Sequence, residues 1–333
     1  MPSSNSARCG APHLKPTNRY DLRTQLLANT SRSTNLWLRV TPDNPRFRLS
    51  NFEFRYNLLQ HFALDADINV LLGLSKRDKR NVISESSIPC ICTDNDYSVE
   101  DPHSTHHHQP ARKATYAHLV NCRGESAFNY RHNCIINVCA EATKAVNLQP
   151  EIELKTSTSP AITGNNNQKL ERKRLDVTVG GIAEGLKTLQ LDVSVTSHRQ
   201  TEQQYKIGCS RYPLYAADSK VTEKANKYKL NYFPDTEAFV ALVCETSGAI
   251  HKNYHRFFAS LALRNDNQPP PNASWTTPTF ITYWLSAVSC TLRRESARAL
   301  QRLARAALRC SAIDAEDDQM PLLVPRKHAA AEF

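Results

Sequence analysis

Residues 175–179 read Leu-Asp-Val-Thr-Val and residues 191–195 read Leu-Asp-Val-Ser-Val, so the same alternation occurs twice, sixteen residues apart. A period of two puts Leu and Val on one face of a strand and Asp, Thr and Ser on the other. Between the two runs lie three of the chain's nine glycines, at 180, 181 and 185, a composition suited to a turn. A hairpin centred near residue 184 sets Asp176 opposite Asp192. Directly paired residues project from the same face, with Cβ atoms about 4.5–5.5 Å apart. Two carboxylates at that separation repel unless a cation lies between them. A hard divalent ion such as Mg²⁺, held by one or two carboxylates plus phosphate oxygens, is the natural partner. The plain alternative is the solvated face of an ordinary hairpin.

The surrounding pattern supplies further charge. Ile152 and Leu154 alternate with Glu151 and Glu153 in a preceding strand, so one of these glutamates is a candidate third carboxylate. Downstream, a helix near 216–231 carries Lys224 and Lys227, spaced i, i+3 just before Tyr228. A lysine beside carboxylates and a metal can orient water or stabilise charge on a phosphate. Lys220 and Lys229 lie close by, as they would on a plain solvated helix face. A strand at Ala238–Cys244 and a helix near 250–263 follow, so residues 133–263 read α-β-β-β-α-β-α. The expected fold class is therefore α/β (α+β), a mixed sheet flanked by helices.

Outside this core, residues 1–18 and 313–333 read as disordered polar tails and 19–85 as a helical region, with Ser50 and Glu53 forming a capping box. Residues 264–277 (beginning Arg-Asn-Asp-Asn-Gln-Pro-Pro-Pro) read as a linker and 278–312 as a basic amphipathic region. In that last region Arg294, Arg298, Arg302, Arg305 and Arg309 step by 4, 4, 3 and 4, within a stripe roughly 80° wide. Leu292, Leu300 and Leu303 lie opposite. Such a ridge suits a phosphate backbone, and equally a solvated helix face.

The segment 86–132 is distinguished by its ligands. Cys90-Ile-Cys92 and His118-Leu-Val-Asn-Cys122 give an S₃N set suited to structural Zn²⁺. Six of the twelve histidines fall between 103 and 132, including His106, His107 and His108. Arg131 and His132 stand at the opening of the next helix and are candidate phosphate contacts. The remaining cysteines are scattered, as in a reducing compartment.

Composition bounds the partners. The 333 residues carry 42 Lys+Arg against 32 Asp+Glu, a net charge of +10, and 40% are apolar. The sequence pI is about 9.1. Polyanions are favoured, whether DNA, RNA or a membrane surface. The longest largely apolar stretches, Ile68–Leu74 and Phe280–Leu285, fall far short of the ~20 residues that span a bilayer. The N-terminus lacks the apolar core of a secretory signal, so a soluble intracellular chain is expected.

In order, C-x-C, His-Leu-x₂-Cys, Arg131-His132-Asn133, a Glu-bearing strand, Arg174-Leu175-Asp176-Val177, Leu191-Asp192-Val193-Ser194-Val195 and Lys224-x₂-Lys227-Tyr228 resemble the C-terminal region of non-LTR retrotransposon proteins. The resemblance spans about 35–310, including Asn35-Leu36-Trp37-Leu38 and Asn51-Phe52-Glu53-Phe54-Arg55. Proteins of that family carry a zinc knuckle and a restriction-endonuclease-like domain of the PD-(D/E)xK type, which nicks target DNA to prime reverse transcription. The resemblance implies a nuclear, Mg²⁺-dependent endonuclease in which Asp176 and Asp192 hold the metal. Ser194 stands where the pattern has Lys, so the lysine moves to the following helix, as Lys224 or Lys227. The implied partners are DNA, element RNA and a separately encoded reverse transcriptase, with no membrane. Leu175 replaces the usual Pro, Thr93 replaces a Gly after C-x-C, and the Cys92–His118 insert is long. No Tyr-x-Asp-Asp polymerase motif is present. A nucleic-acid-binding remnant without activity is the competing expectation.

Overall fold

The computed structural model describes residues 19–62, 127–152, 175–183, 186–197, 207–229 and 237–313. Helix α1 spans Arg19–Thr30, α2 Leu36–Arg39 and α3 Asn51–His61. Ser50 accepts from the Glu53 amide, and Glu53 returns a carboxylate oxygen to the Ser50 amide. The expected capping box thus satisfies two of the amides that a helix start leaves unpaired.

Helix α4 spans Ala127–Lys144 and leads into β1 at Pro150–Ile152, then β2 at Val177–Ala183 and β3 at Leu186–Thr196. Helix α5 (Tyr215–Lys229) connects β3 to β4 (Glu237–Glu245), and α6 (Lys252–Ala262) and α7 (Phe280–Ile313) complete the chain order. The four strands form one mixed sheet in the order β1-β2-β3-β4. The first three make an antiparallel meander, and β4 runs parallel to β3. A parallel neighbour needs a crossover, and α5 supplies it.

Val177 pairs with Leu191, Thr178 with Gln190 and Val179 with Leu189, the register that places residue 176 against 192. Past Gly180 the register shifts by a bulge. There Gly181 takes φ +65°, open to glycine at little cost, and its carbonyl accepts from Arg264 at 2.6 Å.

Val177, Val179, Leu189, Leu191, Val193 and Val195 enter one core with α4, α6 and α7. The opposite face of the sheet is also covered: Ala241 and Val243 pack with Ala217, Leu214 and Val221 from the α5 side. All of residues 191–195 are buried, which is the usual condition of a strand beside a parallel partner.

Two expectations change. Residues 264–277 do not set the last helix apart as a module. Helix α7 is continuous over 34 residues, and its Phe280, Tyr283, Trp284, Ala287, Val288 and Leu292 lie inside the main core. The basic stripe is only its outer side. Helix α4 also starts earlier than the apolar period at 133 suggested, so His132 lies within its second turn and does not open it. Among the described residues, no helix is long and apolar enough to cross a membrane.

Candidate active site on the covered face of the hairpin

Asp176 sits one residue before β2, and its backbone amide donates to the Leu191 carbonyl at 3.1 Å. Its Oδ2 accepts from the Val193 amide at 2.6 Å, so the carboxylate closes the end of the ladder in place of a backbone carbonyl. His132 reaches the same point from α4. Its Nε2 lies 3.2 Å from Asp176 Oδ2 and 2.9 Å from the Val193 carbonyl, while Nδ1 lies 3.2 Å from Asn133 Oδ1. Both ring nitrogens therefore face oxygens, an arrangement that an imidazolium satisfies. Burial by itself would lower the His132 pKa. The hydrogen bond and charge of Asp176, with Asn133 and Val193, outweigh it and raise the pKa above its ordinary value.

Asp192 is only 3% exposed. Lys224 Nζ stands 3.0 Å from Oδ1 and 2.9 Å from Oδ2, and the Tyr228 hydroxyl donates to Oδ1 at 3.2 Å. Ser194 adds a longer contact of 3.4 Å to Oδ2. Lys224 and Tyr228 are four apart on α5, so they descend from one helix face onto one carboxylate. Burial raises the Asp192 pKa and the nearby Asp176 adds to this, while Lys224 and Tyr228 pull it down. Burial and Asp192 both raise the Tyr228 pKa, keeping its hydroxyl protonated as a donor.

The structure thus brings Asp176, Asp192, Lys224 and His132 together and leaves other candidates apart. Lys227 is exposed, its ammonium 5.8 Å from the centre of the Tyr228 ring. Glu151 pairs with Thr178, which pairs with Gln190, so it shares the face of Asp192. It is exposed on β1, however, two strand spacings or about 10 Å from β3. Glu153 lies outside the described residues, as do Cys90, Cys92, His118 and Cys122. Arg131 is turned inward. It is 4% exposed, with Nη1 3.4 Å from Ser296 Oγ on α7, and burial lowers its pKa.

The arginine ridge is partly spent on the fold. Arg294 donates to the carbonyls of Arg46 and Arg48 at 2.7 and 2.9 Å. Arg298 pairs with Glu53 at 2.8 Å and Glu295 at 3.1 Å. Arg302 lies over the Tyr130 ring, 4.7 Å from its centre, and Arg305 is exposed. The side chain of Arg309 is outside the described residues. Tyr228 is the site residue that the sequence reading left unused. Its signal was the Lys224-x₃-Tyr228 spacing, which predicts a shared helix face.

Among the described residues, no group of three or more His, Cys, Asp and Glu side chains is gathered as a metal site. Asp176, Asp192 and the Val193 carbonyl nevertheless make a set of hard oxygen donors of the kind Mg²⁺ takes. The Lys224 ammonium lies against Asp192 and the His132 ring against Asp176. No protein-family model matches the chain, and no curated protein matches it.

Proposed function

We propose that the protein is a Mg²⁺-dependent DNA endonuclease with a restriction-endonuclease-like core, related to the non-LTR retrotransposon proteins. The observation that carries this reading is the convergence of Asp176, Asp192 and Lys224 where β2, β3 and α5 meet. The element order, a helix, a three-stranded meander, a crossover helix and a parallel fourth strand, supports it. Asp176, Asp192 and the Val193 carbonyl would hold the ion, which when bound supplies Lewis-acid activation of water and charge against the phosphate.

The remaining roles belong to the chain. Asp192 fixes the Lys224 ammonium through two contacts, so the lysine is aimed before substrate arrives and can stabilise negative charge developing on a phosphate oxygen. Tyr228 and Ser194 hold the carboxylate in one rotamer, and the Val193 amide does the same for Asp176. Glu151 and Lys227 have no assigned step. Cys90, Cys92, His118 and Cys122 would carry a structural Zn²⁺, and the working site would be the nucleus, with element RNA and a separate reverse transcriptase as further partners.

A second reading, a nucleic-acid-binding remnant that does not cut, is favoured by one observation: Asp192 is nearly sealed by Lys224, Tyr228 and Ser194. Incubation of supercoiled plasmid with purified protein in Mg²⁺, beside EDTA and Asp192→Ala controls, separates the two. Mg²⁺-dependent nicking that disappears in Asp192→Ala supports the endonuclease. Folded protein that binds DNA and leaves it intact supports the remnant.

A further inference from the structure

The carboxylate site and the basic outer side of α7 are joined by a line of side chains across the first turns of α4. His132 contacts Asp176 at one end and Asn133 at the other. At about 100° per residue, Asn133 lies between His132 and Tyr130 around the helix, with Asn129 on the same arc. Asn129, Tyr130 and Asn133 are all exposed, whereas Arg131 and Ile135 on the rest of the circumference are buried, as is Ile136, which lies between His132 and Asn129 around the helix. Tyr130 then meets α7, because the Arg302 guanidinium covers its ring. Arg305 continues the line, one turn further along α7.

The residues on this line differ from the rest of the ridge in what they do with their charge. Arg294 is committed to two backbone carbonyls and Arg298 to two carboxylates. Arg302 instead stands over an aromatic face, which keeps a guanidinium oriented, and Glu295 feels its charge less than that of Arg298. Tyr130 is 47% exposed, a large amphipathic ring on an otherwise polar surface. Amide side chains and guanidinium groups in series are donors that contact sugar–phosphate backbone without reading bases, and the Tyr130 ring orients one of those guanidinium groups.

We infer that Asn133, Tyr130, Arg302 and Arg305 form the track on which the phosphate backbone of duplex DNA lies as it leads to the Asp176–Asp192 site. The direction of the track rests on the endonuclease reading; the binding surface does not. Its polarity follows from the fold, since Asn133, in contact with His132, and the Tyr130 ring lie on one exposed arc of α4, and α7 brings the charge alongside. Arg298 is outside the track because its charge is already neutralised.

The test is the affinity of the full chain for a 30-bp duplex DNA, by fluorescence anisotropy in Ca²⁺ over a salt series. Tyr130→Ala and Arg302→Gln should each weaken binding about 3–10-fold, and Arg302→Gln should lower the salt slope by about one. Tyr130→Phe keeps the ring and should bind like the parent. Lys144→Gln, an exposed charge about 21 Å further along α4, is the control for general electrostatics and should change little. Unchanged affinity in Tyr130→Ala and Arg302→Gln, or an equal loss in Lys144→Gln, overturns the track. A plasmid assay on the same preparations separates this from the endonuclease reading. Weaker binding by the two variants, with a parent that never nicks, keeps the track and removes the enzyme. Nicking by the parent with affinity unaffected by either variant keeps the enzyme and removes the track.

Discussion

Strand β3 is buried on both faces, yet the two faces are held by different physics. Toward α4, α6 and α7 it presents Leu189, Leu191, Val193 and Val195, within a core of apolar side chains from every layer. Toward α5 it presents Asp192 and Ser194, and the apolar contacts there are few, centred on Ala217, Ala241 and Val243. The first face gains from removing apolar area from water, with no demand on orientation. The second must satisfy a buried carboxylate, and it does so with one lysine and one tyrosine at fixed distances. The packed face is held by apolar burial and the polar covered face by an oriented, fully partnered carboxylate; here one strand separates the two.

That contrast can be broken from either side. Leu191→Ala, at a fully buried position, should destabilise the protein by about 2–5 kcal/mol in urea unfolding. A loss under 1 kcal/mol would show that the large face is not the main source of stability. At the far end of β4, the side chain of Glu245 is buried beside the start of α5, accepting from the Ala217 amide and Ser247. Burial raises its pKa to about 7. A carboxyl with a folded pKa above its unfolded one binds its proton more tightly when folded. Its contribution to stability is therefore present at low pH and lost as pH rises from the unfolded value through 7. Glu245→Gln should remove that slope and gain on the order of 3 kcal/mol at pH 8, read from unfolding curves between pH 5 and 8. A slope that persists in the variant would assign the titration to another group.

A smaller effect tests the polar face directly. Lys224→Met keeps the aliphatic stem and removes the charge, and under the endonuclease reading nicking should fall by about 10²-fold. Lys227→Met should leave nicking within about twofold, since Lys227 is exposed and Lys224 occupies Asp192. Comparable losses in both would mean that the contact with Asp192 does not select the lysine. The ridge supplies a further test: Arg298→Gln should destabilise the protein by about 1–3 kcal/mol, because it leaves the buried carboxylates of Glu53 and Glu295 without their cation. Thermal unfolding of that variant beside the parent is sufficient to check it.

Much of this was written in the chain. The two Leu-Asp-Val runs and the glycines between them fix a hairpin register that the fold keeps, with Val177 against Leu191, and this alone brings Asp176 and Asp192 to one end. Ser50 and Glu53 announce a helix start that forms as written. Such features are local, so backbone geometry and period suffice to read them. Choosing between Lys224 and Lys227 was not possible from spacing, because both fall near one helix face until α5 is docked at a particular rotation. Nor does the arginine period reveal that Arg293, next to the ridge, is fully buried, its guanidinium 5.5 Å from the Trp37 ring centre. Gly248 makes room for it: at φ +91°, a Cβ there would come within 2.6 Å of Arg293 Nε.

By itself, the sequence determined which face of each strand and helix is apolar, where the hairpin turns, and that two carboxylates meet at its end. Only the tertiary structure decided what covers those carboxylates. It also put Tyr228 and His132 beside them, placed the last helix in the main core and kept Arg131 from the surface. Periodicity records how a segment divides between apolar and polar neighbours. Which neighbour arrives depends on contacts between residues far apart in the chain, and no local pattern contains them.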